Sequence, residues 1–213
     1  MENVQLVDHV RSQNLGDTVF IIGGGPSLMK YLPDRSLLDG KPVIATNNAY
    51  TLFPNAIVTH FADKVWWNWH HDKIFNLYKG PVSTCMHGSR ENNKMFHDKG
   101  IAVFGFGDRS KDITTDKSKL NGNNCGHQAI NLAVHFGFKN LVLFGFDMHP
   151  TNKQTHWHND HQRPSNLDLY AGSMLPGMKS LVPWQDRLGF KIYNTNHESA
   201  ITYFEYTDVN KWI

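Results

Sequence analysis

The sequence concentrates imidazole side chains in one short stretch. The segment His156-Trp-His-Asn-Asp-His161 places three histidines, His156, His158 and His161, beside the carboxylate of Asp160. Imidazole titrates near neutral pH and also ligates metals, so this stretch supports either a general base or a metal site. A solvated polar loop without chemical function is the third interpretation.

The spacing H-x-H-x-D-H is the zinc-ligand pattern of metallo-β-lactamase-like hydrolases. Those domains place the motif early in the chain, whereas here it follows a series of predicted strands, so we do not expect that fold. Among the three interpretations we favour catalysis, with His161 as the base and His158 and His156 as further candidates. Asp160 or Asp147 would orient the base.

A run of small residues follows the first predicted strand and precedes a helix. It consists of Gly23, Gly24, Gly25, Pro26 and Ser27. Such a turn lets backbone N–H groups approach a phosphate, and the helix N-terminus adds positive potential. The run is neither a dinucleotide fingerprint nor a P-loop, because it lacks the third glycine and the Lys-Ser/Thr pair. A plain strand-to-helix turn is the alternative interpretation.

Polar side chains follow three further predicted strands. Asn47 and Asn48 follow the second strand, Asp63 follows the third, and Asp147 follows the strand at 140–144. Ligands of open parallel sheets bind beyond the carboxyl ends of the strands, so these side chains are candidates for nucleotide contacts. Asn and Asp also commonly cap helices and form turns, which is the alternative for each of them.

The elements that position these residues alternate between strand and helix. Short β-branched runs bounded by Gly, Asn, Asp or Pro predict strands at 18–22, 42–46, 56–60, 81–84, 101–104 and 140–144. The clearest helix is predicted over 126–136 and ends at Gly137. This pattern predicts an α/β fold, a doubly wound Rossmann-like, mostly parallel sheet in a single domain over 1–213. The polar segment 105–124 is expected to be a mobile loop near the site.

Composition excludes several classes of protein. The 213 residues carry a formal net charge of +2 without a basic block, which argues against a nucleic-acid-coating protein. The hydrophobic fraction of 40% is enough for a core, and the sequence offers no bilayer-length apolar run. The polar first residues lead us to expect no secretion signal. Its two cysteines, Cys85 and Cys125, form no C-x-x-C or disulfide pattern, so we expect a cytoplasmic protein.

Four blocks of sequence, taken together, resemble one family. They are Ile21-Ile-Gly-Gly-Gly-Pro-Ser-Leu28, Val43-Ile-Ala-Thr-Asn-Asn48, Asn124-Cys-Gly-His-Gln-Ala-Ile-Asn-Leu-Ala133 and Leu141-Val-Leu-Phe-Gly-Phe-Asp-Met148. In this order they resemble the bacterial sialyltransferases and the related 6-hydroxymethylpterin diphosphokinase MptE-like group, which includes many small phage-encoded proteins. The resemblance extends over about residues 18–205.

The resemblance implies a set of nucleotide contacts and a base. The implied nucleotide contacts are Gly23, Gly25, Ser27, Asn47, Asn124, Cys125 and Gly126. A histidine after the Gly-x-Asp block would be the general base, which again indicates the loop at 156–161. Cys125 departs from the Ser or Thr usual at its position. The matches of Asp63 and Asp147 to the diphosphokinase-like group make magnesium a candidate cofactor.

Three functional hypotheses follow from the residues and the resemblance. The first is a glycosyltransferase-like enzyme that uses a nucleotide-sugar donor of the CMP or UDP type and an acceptor hydroxyl, with nucleic acid only as a candidate acceptor. The second is a magnesium-dependent diphosphokinase that acts on a small hydroxymethyl acceptor, with Asp63 and Asp147 on the metal. The third is a nucleotide-binding module without turnover.

Overall fold

The fold is built on one parallel sheet whose strand order reverses beside the first strand. The structure, a computed structural model, describes residues 1–85, 90–108, 112–160 and 166–213, with the backbone alone at 90–92. The strands are β1 (Thr18–Ile22), β2 (Val43–Thr46), β3 (Val58–Phe61), β4 (Val82–Thr84), β5 (Ala102–Val103), β6 (Gly105–Phe106), β7 (Lys119–Leu120), β8 (Asn140–Phe144), β9 (Lys191–Asn194) and β10 (Glu205–Tyr206). Within the described ranges the main sheet has the order β10-β9-β8-β1-β2-β3-β4-β5, and β6 and β7 pair separately.

This architecture confirms the predicted doubly wound α/β fold. All six predicted strands are present, as β1 to β5 and β8. The chain moves from β1 outward to β5 and then returns to the opposite side of β1 as β8. The point where strand order reverses is where ligands bind in open α/β sheets, so the expected site lies between the carboxyl ends of β1 and β8.

Seven α-helices within the described ranges cover the sheet. They are α1 (Asn3–Ser12), α2 (Leu28–Tyr31), α3 (Lys64–Leu77), α4 (Arg90–Asp98), α5 (Cys125–Phe136), α6 (Leu175–Lys179) and α7 (Val182–Leu188). Alternate residues of β1 enter two different cores: Val19 and Ile21 pack with α1 and α5, and Phe20 and Ile22 pack with α2 and α3. Because both faces are covered, the strand is a continuous apolar run.

Helix α5 confirms the prediction over 126–136 and has a defined start and end. The side chain of Asn124 accepts a hydrogen bond from the His127 backbone N–H at 3.0 Å, which caps the first turn. The helix ends at Gly137, whose φ of +92° is a left-handed conformation that favours glycine. The cap fixes the N-terminus of α5 at the carboxyl edge of the sheet.

The segment 105–124, expected to be a loop near the site, contains the paired strands β6 and β7 among the residues that the structure describes there. Three polar side chains on one stripe of α5 hold this segment: His127 bonds Asp112 O, Asn131 bonds the backbone of residues 114 and 121, and His135 bonds Lys119 O. Ile113 and Leu120 are buried beside the stripe. A segment without an apolar period is therefore ordered by hydrogen bonds to side chains of another element.

Two tryptophans of α3 pack into the core. Trp66 and Trp67 are 3% and 4% exposed, and the ring of Trp67 stacks on Phe61 with centroids 5.1 Å apart. Among the described residues, no helix is both long and apolar enough to cross a membrane.

Candidate functional site

A cleft of about 530 Å³ opens at the carboxyl ends of β8, β1, β2 and β3, where the reversal of strand order predicts it. Most of the predicted site residues line it. These are Gly23, Gly24, Gly25, Asn47, Asn48, Asp63, Asn124, Cys125, Gly126, Asp147, His156 and His158. Pro26, Ser27 and Asp160 do not line the cleft, and His161 lies outside the described residues. Residues from five separate loops thus meet in one cavity.

The glycine turn, residues 23–27, packs closely against the loop that follows β8. The Gly23 N–H donates to Phe144 O at 2.7 Å and the Gly25 N–H to Gly145 O at 2.9 Å. A Cβ on Gly25 would lie 1.8 Å from Asp147 Oδ2 and 2.7 Å from Gly145 O. Only glycine fits there, because the loop after β8 crosses directly beside the turn.

The carboxylate of Asp147 is hydrogen-bonded to the glycine turn through Ser27. Its carboxylate accepts hydrogen bonds from Ser27 N (3.2 Å), Ser27 Oγ (2.8 Å) and Asn196 Nδ2 (3.3 Å), and the residue is 2% exposed. Burial raises the pKa of Asp147, and the bonds from Ser27 oppose that rise. Oδ1 accepts from two protein donors and Oδ2 from one, so the carboxylate supports the glycine turn and keeps a lone pair on Oδ2.

Ser27, for which the resemblance implies a nucleotide contact, is bonded to Asp147 and does not line the cleft. Its hydroxyl and its N–H both point to Asp147, and the residue is 7% exposed. The structure therefore places Ser27 behind the cleft, as a support for the glycine turn. Pro26 also lies outside the lining of the cleft.

Asn47 lines the cleft, and its side chain accepts a hydrogen bond from another cleft residue. Its φ is +50°, a left-handed conformation that Asn tolerates better than most residues. The thiol of Cys125 donates to Asn47 Oδ1 at 3.2 Å, and burial raises the pKa of that thiol to about 12. Among the described residues the Asn47 Nδ2 group has no partner, so it remains a hydrogen-bond donor for a ligand.

Asn48 is a structural link between two elements. It is 3% exposed, its Oδ1 accepts from Trp66 Nε1 at 2.5 Å, and its Nδ2 donates to Asp160 Oδ2 at 3.2 Å. Asp160 lies on the far side of this bond, where it lines a neighbouring groove. The amide of Asn48 thus separates the cleft from the groove.

Two helices begin at the cleft and bring positive potential to it. Asp63 caps α3 by accepting from Val65 N at 2.7 Å, and Asn124 caps α5. The cap at α3 confirms the alternative interpretation of Asp63, and the first turns of both helices still face the cavity. With Lys64 beside them, the N-termini of α3 and α5 suit an anionic ligand.

The histidine loop, residues 155–160, is hydrogen-bonded to the glycine turn. The Trp157 N–H donates to Gly24 O at 3.0 Å, and a Cβ on Gly24 would lie 3.1 Å from the His156 ring. Nδ1 of His156 hydrogen-bonds Thr155 Oγ1 at 3.0 Å, and the rings of His156 and His158 are 5.4 Å apart. The described part of the chain holds no group of three His, Cys, Asp or Glu placed for a metal ion.

Three further residues line the cleft that the sequence did not indicate. Tyr170 and Met174 belong to a π-helical turn over Tyr170–Met174, and His149 follows two residues after Asp147. The ring nitrogens of His149 face Pro150 O (3.0 Å) and Glu198 O (2.8 Å), and these carbonyls raise its pKa. The position of His149 just after a strand was the signal that could have identified it, whereas no sequence signal marks Tyr170.

Comparison with known proteins identifies the family. A family model described as 6-hydroxymethylpterin diphosphokinase MptE-like matches residues 1–153. The chain belongs to this MptE-like family. The match includes β1 to β8 with the glycine turn and ends before the histidine loop. No curated protein matches this MptE-like sequence significantly.

A solved structure shares the fold of this MptE-like chain. It is the sialyltransferase CstII from Campylobacter jejuni, in complex with the substrate analogue CMP-3FNeuAc, with a TM-score of 0.59 and 17% sequence identity. The match covers 91% of this chain and 86% of that chain, so it includes residues beyond 153. The family match and this shared fold together confirm the resemblance drawn from the four sequence blocks.

Proposed function

We propose that this MptE-like chain is a nucleotide-dependent transferase, organised as one domain over 1–213. It binds a nucleotide-sugar donor of the CMP or UDP type in the cleft and transfers the glycosyl group to an acceptor hydroxyl. One observation carries the proposal: the glycine turn, Asn47, the N-terminus of α5 and the histidine loop line a single cavity at the strand-order reversal. The donor type is further supported by the bound CMP-sugar analogue of the CstII structure.

The donor is held by groups that need little rearrangement. Its phosphate takes the place between the glycine turn and the first turn of α5, where the N–H groups of Cys125 and Gly126 begin the helix. The Asn47 amide, oriented by the Cys125 thiol, donates to the base or ribose. Leaving-group charge that develops on the phosphate is stabilised by the same helix N-terminus.

The loop supplies the base for transfer. The acceptor oxygen attacks the anomeric carbon, the bond from that carbon to the phosphate oxygen breaks, and a loop histidine takes the acceptor proton. His156 and His158 line the cleft, while His161, our first candidate for the base, lies outside the described residues. Asp160 remains the candidate orienting partner, because the carboxylate of Asp147 already has three protein donors.

An assay of nucleotide release tests this function. Purified protein is incubated with CMP-, UDP- and GDP-sugars, with a set of saccharides as acceptors, and free nucleotide is measured by chromatography. We expect release of CMP or UDP to depend on the acceptor and to persist in EDTA. Asn47→Ala and Cys125→Ala should weaken donor binding, and Cys85→Ala, at the buried second cysteine, is the matched control. Absence of release from every donor would contradict the proposal.

The second candidate is the diphosphokinase reaction, which the description of the family itself favours. In that reaction the acceptor hydroxyl attacks the β-phosphorus of ATP and AMP leaves. Ser27 and Asn196 already donate to the Asp147 carboxylate, so a magnesium ion held by Asp63 and Asp147 would share that carboxylate with them. Incubation with ATP, magnesium and 6-hydroxymethylpterin decides between the two: AMP release supports the diphosphokinase, and release of CMP or UDP from a sugar nucleotide supports the glycosyltransferase.

A further inference from the structure

Trp157 belongs to the histidine loop and lines the cleft beside the glycine turn. Its indole nitrogen, Nε1, is buried, and among the described residues it has no hydrogen-bond partner. An indole N–H can only donate, and a buried donor without an acceptor costs free energy that the unfolded chain avoids in water. Buried polar groups in folded proteins nearly always have a partner, so this nitrogen requires an explanation.

Two other tryptophans show what the fold provides elsewhere. Nε1 of Trp184 donates to Asp112 Oδ2 at 3.0 Å, and Nε1 of Trp212 donates to Thr207 Oγ1 at 2.9 Å. In both cases another side chain of the protein supplies the acceptor. Around Trp157 the described part of the chain supplies none, and the cleft that this residue lines is where an acceptor can arrive.

The backbone of Trp157 indicates which part of a ligand lies nearby. Its N–H donates to Gly24 O at 3.0 Å, so the residue is held against the glycine turn. In open α/β sheets the phosphate of a nucleotide lies at the turn after the first strand, facing the N-terminus of a helix. An ionised phosphate oxygen accepts hydrogen bonds and does not donate them, so it complements an indole N–H.

The charges of the cleft favour the same assignment. Among the described residues that line it there is one lysine, Lys64, and no arginine. The carboxylates of Asp63 and Asp147 also line the cleft, so fixed positive charge does not exceed fixed negative charge there. A phosphate in this cleft therefore depends on N–H donors for its stabilisation, and an unused indole N–H is such a donor.

We propose that Trp157 is a phosphate-binding residue, whose indole N–H donates to a phosphate oxygen of the bound nucleotide. This inference rests on the nucleotide site of the proposed function and adds a contact from the histidine loop. Because the nitrogen is buried before binding, the loop shifts slightly as the phosphate arrives, and the new bond holds the loop against the nucleotide. Binding of the phosphate and placement of the loop histidines are then one event.

Removal of the N–H tests the proposal. Trp157→Phe keeps an aromatic ring, and binding of CMP, UDP, cytidine and uridine is measured by isothermal titration calorimetry. Affinity for CMP or UDP should fall about ten- to a hundredfold, as for loss of a hydrogen bond to a charged group, while affinity for the nucleosides should change less than about threefold. The melting temperature should change little, because the variant also loses an unpaired buried donor.

A second measurement follows the indole itself. The chain has six tryptophans, and in isotope-labelled protein each indole gives its own N–H resonance. The resonance of Trp157, assigned by triple-resonance NMR of the wild-type protein, should move downfield when CMP or UDP is added. It should stay in place with cytidine or uridine, because these nucleosides carry no phosphate. A purely structural role of the ring would not produce this difference.

Trp184→Phe is the matched control, because its indole is bonded to Asp112 and does not line the cleft. This variant should melt at a lower temperature and bind CMP and UDP as the wild type does. The proposal is overturned if Trp157→Phe binds these nucleotides as tightly as the wild type, if nucleoside affinity falls equally, or if the indole resonance ignores the phosphate. Failure of the wild-type protein to bind any nucleotide would instead reject the proposed function together with this inference.

Discussion

Ser27→Ala distinguishes a serine that supports the glycine turn from one that contacts nucleotide. The 2.8 Å bond from Ser27 Oγ goes to a carboxylate that is 2% exposed, and a hydrogen bond to a charged group is worth about 1.5–3 kcal/mol. In a domain of this size each kcal/mol changes Tm by about 2–4 °C, so we expect a loss of about 3–12 °C. Because Ser27 does not line the cleft, nucleotide affinity should fall less than about threefold.

The pH dependence of this loss has a defined sign. Burial raises the pKa of Asp147, and removal of the Ser27 donor raises it further, because the charged form loses a bond. The variant therefore loses most stability at neutral pH, where the carboxylate is charged. The difference from wild type shrinks as the pH falls through the raised pKa, since the protonated acid depends less on the donor.

Thermal melts and nucleotide titrations of the same preparations provide the assay. Ser36→Ala is the matched control, because its hydroxyl bonds the carboxylate of Asp34 at 2.6 Å on the exposed surface, and we expect little change in Tm. An unchanged Tm for Ser27→Ala together with a tenfold or greater loss of nucleotide affinity would refute the reasoning. Ser27 would then contact the ligand directly, as the family resemblance implies.

The remaining predictions concern the glycine turn, two buried histidines and the loop. Gly25→Ala should cost about 3 kcal/mol or more in urea unfolding, whereas Gly24→Ala displaces only the His156 ring and should cost under about 1.5 kcal/mol. Burial lowers the pKa of His60 and His127 to about 4. The free energy of unfolding is therefore fully present above pH 6.5, and each histidine lowers it by about 1.4 kcal/mol per pH unit as the pH falls toward 4. His127→Gln should remove the part of this pH dependence that comes from His127. Alanine at the base should reduce the transfer rate about 10²-fold or more, and we expect this for His161 and smaller, unequal losses for the other loop histidines.

The positions of the strands around the site could be predicted because they are encoded locally. The bounds of β1 and β8 follow from apolar runs that end in glycine, and both strands are buried on two faces. β9 has the sequence Lys-Ile-Tyr-Asn and was missed, since its four residues have neither a continuous apolar run nor a clear alternation. Local pattern thus locates strands that lie in an apolar run, including the short edge strand β5, and misses β9, which lacks such a run.

The contacts within the site depended on residues that are distant in sequence. Ser27 and Asp147 are 120 positions apart, and no local pattern indicates that one braces the other. The order of the segment 105–124 likewise comes from His127, Asn131 and His135, whose polar stripe appears on α5 only after the helix is folded and packed. The sequence therefore identified which residues gather at the cleft, and the structure was needed to show which of them support the others.

Binding of free nucleotide is the most direct test of the central claim that the cleft holds the nucleotide of an activated donor. Thermal melts are recorded with CMP, UDP, GDP and ATP, for wild type and for Asn47→Ala. A nucleotide at 100 times its Kd stabilises the fold by about 2.7 kcal/mol, which corresponds to a rise in Tm of about 5–11 °C. We predict this rise with CMP or UDP and its loss in Asn47→Ala; no rise with any of the four nucleotides, or an equal rise in the variant, would contradict the account.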